Sequence, residues 1–123
     1  MGNEKKILVV DDEPNVITSL SFVLGKEGYD VSSAANGEDA LAKIRQLKPS
    51  LVFLDVMMPK KNGYEVCQEV KKDSSLSDIH IIMLTAKGQE ADREKGLSAG
   101  ADEFMPKPFS LMVVVNRVKE LLG

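Results

Sequence analysis

The chain is short of the features that mark several protein classes. Cys67 is its single cysteine, which excludes a disulfide framework or a cysteine metal site within the chain. That residue reads instead as a small, semi-buried helix position. No apolar run approaches the roughly 20 residues of a membrane-spanning helix. Only Ile7-Leu8-Val9-Val10 separates the polar start, Gly2 to Lys6, from Asp11, too short a stretch for a secretory signal. Net charge is −3, so neither a nucleic-acid backbone nor an anionic membrane surface is a favoured partner. Repeats, linkers and low-complexity segments are absent, and no glycine-rich loop follows the first apolar run, which disfavours a dinucleotide or flavin binder. A reducing cytoplasm is the expected compartment.

What is present suits one soluble domain over residues 1–123, with 43% hydrophobic and 28% charged residues. Nothing after Gly123 offers a further domain, so the expectation is a stand-alone domain or a piece of a longer protein. Short apolar runs recur along it: Ile7-Leu8-Val9-Val10, Leu51-Val52-Phe53-Leu54 and Ile81-Ile82-Met83-Leu84. Continuous runs of this length predict strands buried on both faces. Tyr29 to Ala35 is more polar and predicts a strand nearer an edge, and Glu103-Phe104-Met105 a short last strand.

Between the strands lie helical patterns. Glu13-Pro14 opens the first, with proline suited to a first turn and acids favourable beside the N-terminal dipole. Val16, Leu20, Val23 and Leu24 form its apolar stripe, and Ile17 and Phe22 lie too far apart around the axis to share its centre. Asn36 caps the second helix, whose inward face is Ala40, Leu41, Ile44 and Leu47. Tyr64 to Lys72 is a third, followed by a polar loop over Asp73 to Asp78. Glu90 to Leu97 is a weak fourth, with Ala91 and Leu97 its only apolar residues, a composition suited to a movable element. Ser110 caps the last, which faces inward through Leu111, Val114, Val115, Val118, Leu121 and Leu122 and leaves Met112 and Val113 on the opposite side. Strand then helix, five times over, predicts a doubly wound parallel α/β sheet with helices on both faces.

Such a sheet places ligands outside the carboxyl ends of its strands. Asp11-Asp12, Asp55, Thr85 and Lys107 all lie just past predicted strand ends. Two unit charges about 4 Å apart interact by roughly 4 kcal/mol at an effective dielectric near 20. Three carboxylates on one rim therefore need a cation, a proton or a lysine beside them. Hard oxygen donors suit Mg²⁺. Lys107 adds an ammonium and Thr85 a hydroxyl, and the set surrounds a phosphoryl group with Asp55 as nucleophile. An aspartyl phosphate is the simplest product that uses every member. Each signal alone has a plainer reading: an Asp pair as a helix cap, a threonine as a strand end, Lys-Pro as a solvated turn. His80, at a strand start, reads as a surface residue and receives no role.

The motifs Ile7 to Pro14 (ILVVDDEP), Leu51 to Pro59 (LVFLDVMMP) with Gly63, Met83 to Ala86 (MLTA), and Gly100-Ala101-Asp102 followed by Lys107-Pro108-Phe109 resemble, in order and over essentially the whole chain, the receiver domain of bacterial response regulators of the chemotaxis type. The resemblance implies a flavodoxin-like fold, five parallel strands in order 2-1-3-4-5 with five helices. It implies that Asp55 accepts a phosphoryl group from a histidine kinase or phosphotransfer protein. Asp12, Asp55 and the Met57 backbone carbonyl would hold Mg²⁺, with Asp11 acting through water. Lys107 would pair with the phosphoryl group beside a cis bond before Pro108, and Thr85 and Phe104 would form the switch. Output would pass through the face built from helix 4, strand 5 and helix 5, and phosphorylation-dependent homodimerisation is open. On this reading the chain is no enzyme beyond phosphoryl transfer to, and hydrolysis from, its own Asp55. Phe104 lacks the hydroxyl of a tyrosine, and Met57 and Lys87 stand where the family shapes water access, so apolar Met57 is expected to slow dephosphorylation. The competing readings are a degenerate receiver used for docking and an Asp-nucleophile phosphatase. The second lacks the acid such enzymes place two residues past the nucleophile, where this chain has Met57.

Overall fold

The computed structural model describes residues 5–56, 61–86, 94 and 97–123. In it strand and helix alternate from the start: β1 (Lys6–Val10), α1 (Pro14–Lys26), β2 (Asp30–Ala34), α2 (Gly37–Leu47), β3 (Leu51–Asp55), α3 (Gly63–Lys72), β4 (His80–Ala86), β5 (Glu103–Lys107) and α4 (Leu111–Leu122). The five strands form one parallel sheet in the order β2-β1-β3-β4-β5. The predicted fourth helix, 90–97, lies mostly outside the described residues, although Glu94 and residues 97–99 are helical. Leu97 is exposed, in keeping with the small apolar face expected of that segment.

Two cores follow from the two-residue period of the strands. Leu8, Val10, Val52, Leu54, Ile81 and Met83 pack under α2 and α3, against Ala40, Leu41, Ile44, Val66, Cys67 and Val70. Their neighbours Ile7, Val9, Leu51, Phe53, Ile82 and Leu84 pack under α1 and α4, against Leu20, Leu24, Val114 and Val118. The apolar runs are continuous because both faces are covered. In α1 the face is settled in favour of Ile17, which packs on the core, while Phe22 stays exposed with Lys26 over its ring.

Local chemistry sets the ends of the elements. Asn36 accepts from Asp39 N–H, and Asn62 and Glu65 form a reciprocal capping box at α3. Ser110 accepts from Val113 N–H at the start of α4. Gly28, past the end of α1, takes φ +96°, which side chains rarely adopt.

Several expectations are revised. Cys67 is fully buried rather than semi-buried, because α3 is flanked by Leu76 and Ile79, buried residues of a loop read as polar or of its edge. Burial pushes the Cys67 thiol up to about 11, with Lys71 opposing and Asp102 adding to the shift. Strand β5 runs on through Lys107, so that lysine ends a strand rather than sitting in a turn. Pro106 is tolerated within β5 because the strand lies at the sheet edge.

Candidate functional site

The strand register assembles the rim. Val10 is level with Leu54, so the next residues, Asp11 just past β1 and Asp55 at the end of β3, are neighbours. Asp55 is level with Leu84, and Lys107 with Ala86. Alternation puts Asp11, Asp55 and Lys107 on the side of α1 and α4, continuing the rows Ile7-Val9, Leu51-Phe53 and Met105. Thr85 has the opposite parity and falls with Met83 on the side of α2 and α3, where Phe104 also packs, half-buried. The proposed acceptor and counter-charge thus share one face, and the proposed switch pair shares the other.

Asp11, Asp12 and Asp55 each offer a carboxylate oxygen within 4.8 Å of the others. Asp11 and Asp55 are buried and Asp12 is exposed. Asp11 Oδ1 accepts from Glu13 N–H at 2.9 Å, a turn bond just ahead of α1 rather than a helix cap, since the N-cap is Glu13 itself. Asp11 Oδ2 is different. It is buried and pairs with the Lys107 ammonium, 2.7 Å away. One ammonium beside three carboxylates leaves net negative charge at the mouth, which favours a further cation there. The donor set, all hard oxygens at one mouth, fits a small divalent ion; the residues present could hold a metal. The Met57 carbonyl lies outside the described residues.

Lys107 Nζ also contacts Glu13 Oε1 at 2.8 Å and Asp55 Oδ2 at 3.7 Å. Burial works against the ammonium, but the bonds to Asp11 and Glu13 and the nearby Asp55 charge outweigh it, and its pKa is raised. Glu13 was not expected here. Read as a dipole-stabilising acid, it is the N-cap of α1 with no side-chain cap bond, and its carboxylate turns to Lys107 instead. The peptide bond between Lys107 and Pro108 is cis, as the resemblance implied. A groove of about 730 Å³ opens from Asp12, Asp55 and Lys107 along Asn15, Val16 and Ser19 of α1 to Phe109 and Leu111.

A second polar cluster went unforeseen. His80, half-buried rather than a plain surface residue, meets Glu103 Oε2 through Nε2 at 2.6 Å, and Arg117 of α4 grips the same carboxylate with a two-pronged contact. Bonding from Arg117, opposed by burial and helped by His80, holds the Glu103 carboxyl below its ordinary range. This cluster joins the first residues of β4 and β5 and so lies at the end of the sheet away from the carboxylate rim.

Fold and rim together define a doubly wound α/β protein whose acidic pocket, with one lysine beside it, could hold a metal. The family model for the response regulator receiver domain matches residues 7–119. The chain is 49% identical over 118 residues to the alkaline phosphatase synthesis transcriptional regulatory protein PhoP of Bacillus subtilis, covering 96% of this chain and 48% of that protein. It is 47% identical over 120 residues to the transcriptional regulatory protein ResD of the same organism, covering 98% and 49%. Among solved structures it superposes on the chemotaxis response regulator CheY4 of Vibrio cholerae with a TM-score of 0.89 at 30% identity, covering 97% of this chain and 99% of that one. The chain belongs to the response regulator receiver domain family, the receiver modules of two-component signalling. It spans about half the length of the curated relatives it matches.

Proposed function

We propose that the chain is a phosphorylation-switched receiver that takes a phosphoryl group onto Asp55 from a histidine kinase or phosphotransfer protein, with Mg²⁺ at the rim. The observation that carries this reading is the cluster of Asp11, Asp12 and Asp55, whose carboxylate oxygens lie within 4.8 Å of one another beside the Lys107 ammonium. Asp12 and Asp55 would hold the ion directly, with the Met57 carbonyl, and Asp11 through water. Bound there, Mg²⁺ supplies positive charge to the phosphoryl oxygens. An Asp55 carboxylate oxygen attacks the phosphorus of a phosphoimidazole. The phosphorus–nitrogen bond breaks, its electron pair returns to the ring nitrogen, and an acyl phosphate is formed. Lys107 pairs with the phosphoryl group as it arrives.

The Thr85 hydroxyl then draws toward a phosphoryl oxygen, and Phe104, on the same face of the sheet, follows inward. That shift biases a pre-existing equilibrium and alters the face formed by the predicted fourth helix, β5 and α4. Met112 and Val113, 73% and 56% exposed on α4, are partner contacts on that face. The names of the longer relatives support a transcriptional output for the whole protein, carried outside this chain, whose own net charge of −3 offers nucleic acid little. Among the described residues no helix is long and apolar enough to cross a membrane.

Incubation with Mg²⁺ and acetyl phosphate tests the proposal. The expected product is a single acid-stable, base-labile adduct on Asp55, absent in Asp55→Asn. Absence of any adduct favours the docking module, and turnover of phosphate esters favours a phosphatase. Sizing with and without beryllofluoride reports on homodimerisation.

A further inference from the structure

We infer that Gly37, the first residue of α2, is a positioning residue for the rim: the space left by its missing side chain seats the main chain of Lys61 and so holds the stretch from Lys61 to Gly63 against the end of β3. The inference rests on the metal reading of the rim given above. A Cβ on Gly37 would stand 2.6 Å from Lys61 Cβ and 2.7 Å from its carbonyl carbon, and closer still to the carbonyl oxygen. Gly37 is not among the glycines with positive φ, so conformational freedom does not explain it. At a helical position alanine would be the better residue. Space is the remaining reason, and the neighbour that fills it is backbone, which cannot turn aside.

The seat itself is firm. Asn36 caps α2 through Asp39 N–H, and Ala40, Leu41 and Ile44 anchor the helix on the sheet. Lys61 is held a second time through its ammonium, which pairs with Glu69 of α3, and Glu69 also meets Arg45 of α2 at 3.4 Å. Gly63 ties the same stretch to the end of β3. Gly63 N–H donates to Val56 C=O at 3.1 Å. A Cβ on Gly63 would stand 2.9 Å from Val56 Cα and 3.1 Å from the Asp55 carbonyl carbon. The stretch from Lys61 to Gly63 is therefore held at one end by α2 and at the other by the backbone of Asp55 and Val56. Holding it there limits how far the Asp55 carboxylate must be reordered when an ion binds.

Calorimetric titration of the full chain with Mg²⁺ tests this, together with exchange of the Gly63 amide measured by NMR in EDTA, where no metal contributes. Gly37→Ala is expected to bind Mg²⁺ roughly tenfold more weakly, the size of effect typical of groups that orient ligands. Its Gly63 amide should exchange faster while amides of β1 keep wild-type protection, a pattern that general loss of stability would not give. Gly25→Ala, where a Cβ would meet nothing within 4 Å, should match wild type in both measurements. Should Gly37→Ala fail to fold, Lys61→Gly decides: it releases the stretch from Glu69 and should weaken Mg²⁺ binding in the same direction. Wild-type affinity in Gly37→Ala, or in Lys61→Gly where that variant stands in, overturns the inference. A wild-type chain that binds no Mg²⁺ overturns the metal reading itself and the inference with it.

Discussion

Replacing Lys107 by methionine removes the cation from the carboxylate cluster while keeping most of its apolar stem. Lys107 Nζ lies 2.7 Å from Asp11 Oδ2 and 3.7 Å from Asp55 Oδ2. At an effective dielectric near 20, those separations correspond to attractions of about 6 and about 4.5 kcal/mol. Desolvation of the ammonium and the carboxylates offsets much of this, and removing one partner of a buried pair typically costs about 3–5 kcal/mol. The lysine side chain is 20% exposed, which favours the lower figure. A loss of about 3 kcal/mol, divided by an unfolding entropy near 2.1 cal/mol/K per residue, lowers Tm by about 12 °C in EDTA. Mg²⁺ should then rescue the variant. The ammonium that repels an incoming ion from Asp11 and Asp55 is gone, so affinity rises, and at a hundredfold excess over Kd the ion adds about 2.7 kcal/mol. Thermal melts followed by circular dichroism, in EDTA and in Mg²⁺, read both effects. An unchanged Tm in EDTA, or a Mg²⁺-induced rise no larger than in wild type, would refute the reasoning.

Gly63→Ala should cost about 2–3 kcal/mol in urea unfolding, because its Cβ would meet the backbone of Asp55 and Val56; in contrast Gly25→Ala should gain about 0.5–1 kcal/mol, and equal midpoints for the two would contradict the close-approach argument. Glu103 has its pKa depressed by Arg117 and His80, so its contribution to stability is present above the ordinary glutamate value and lost as pH falls through the lower folded value. Glu103→Gln should therefore be less stable than wild type at neutral pH, with the gap closing in acid; a gap independent of pH would count against the ion-pair reading. Met57→Asn should speed loss of phosphate from Asp55, timed after removal of the phosphodonor, and an unchanged or slower rate would sink the proposed braking role.

The continuous apolar runs and the alternation of strand and helix were enough to predict a parallel, doubly wound sheet, since residues buried on both faces leave no other economical pattern. The same alternation places Asp11, Asp12, Asp55, Thr85 and Lys107 at strand ends. Caps such as Asn36 and Ser110 were equally legible, because they depend on neighbours only a few residues away. Charge partners were not. That Lys107 is shared by Asp11 and Glu13, or that His80 and Arg117 converge on Glu103, depends on contacts between residues far apart in the chain.

The sequence by itself thus determined which chemical groups reach the rim, through the period of the strands and the positions of their ends. Tertiary structure decided how those groups share the sheet. Register and pleat set Asp55 and Lys107 on one face and Thr85 and Phe104 on the other. Packing buried Cys67 and brought Lys107 onto the buried Asp11, and close approach reserved the space at Gly37 for Lys61. These are matters of distance between residues remote in the chain, which composition and periodicity do not encode.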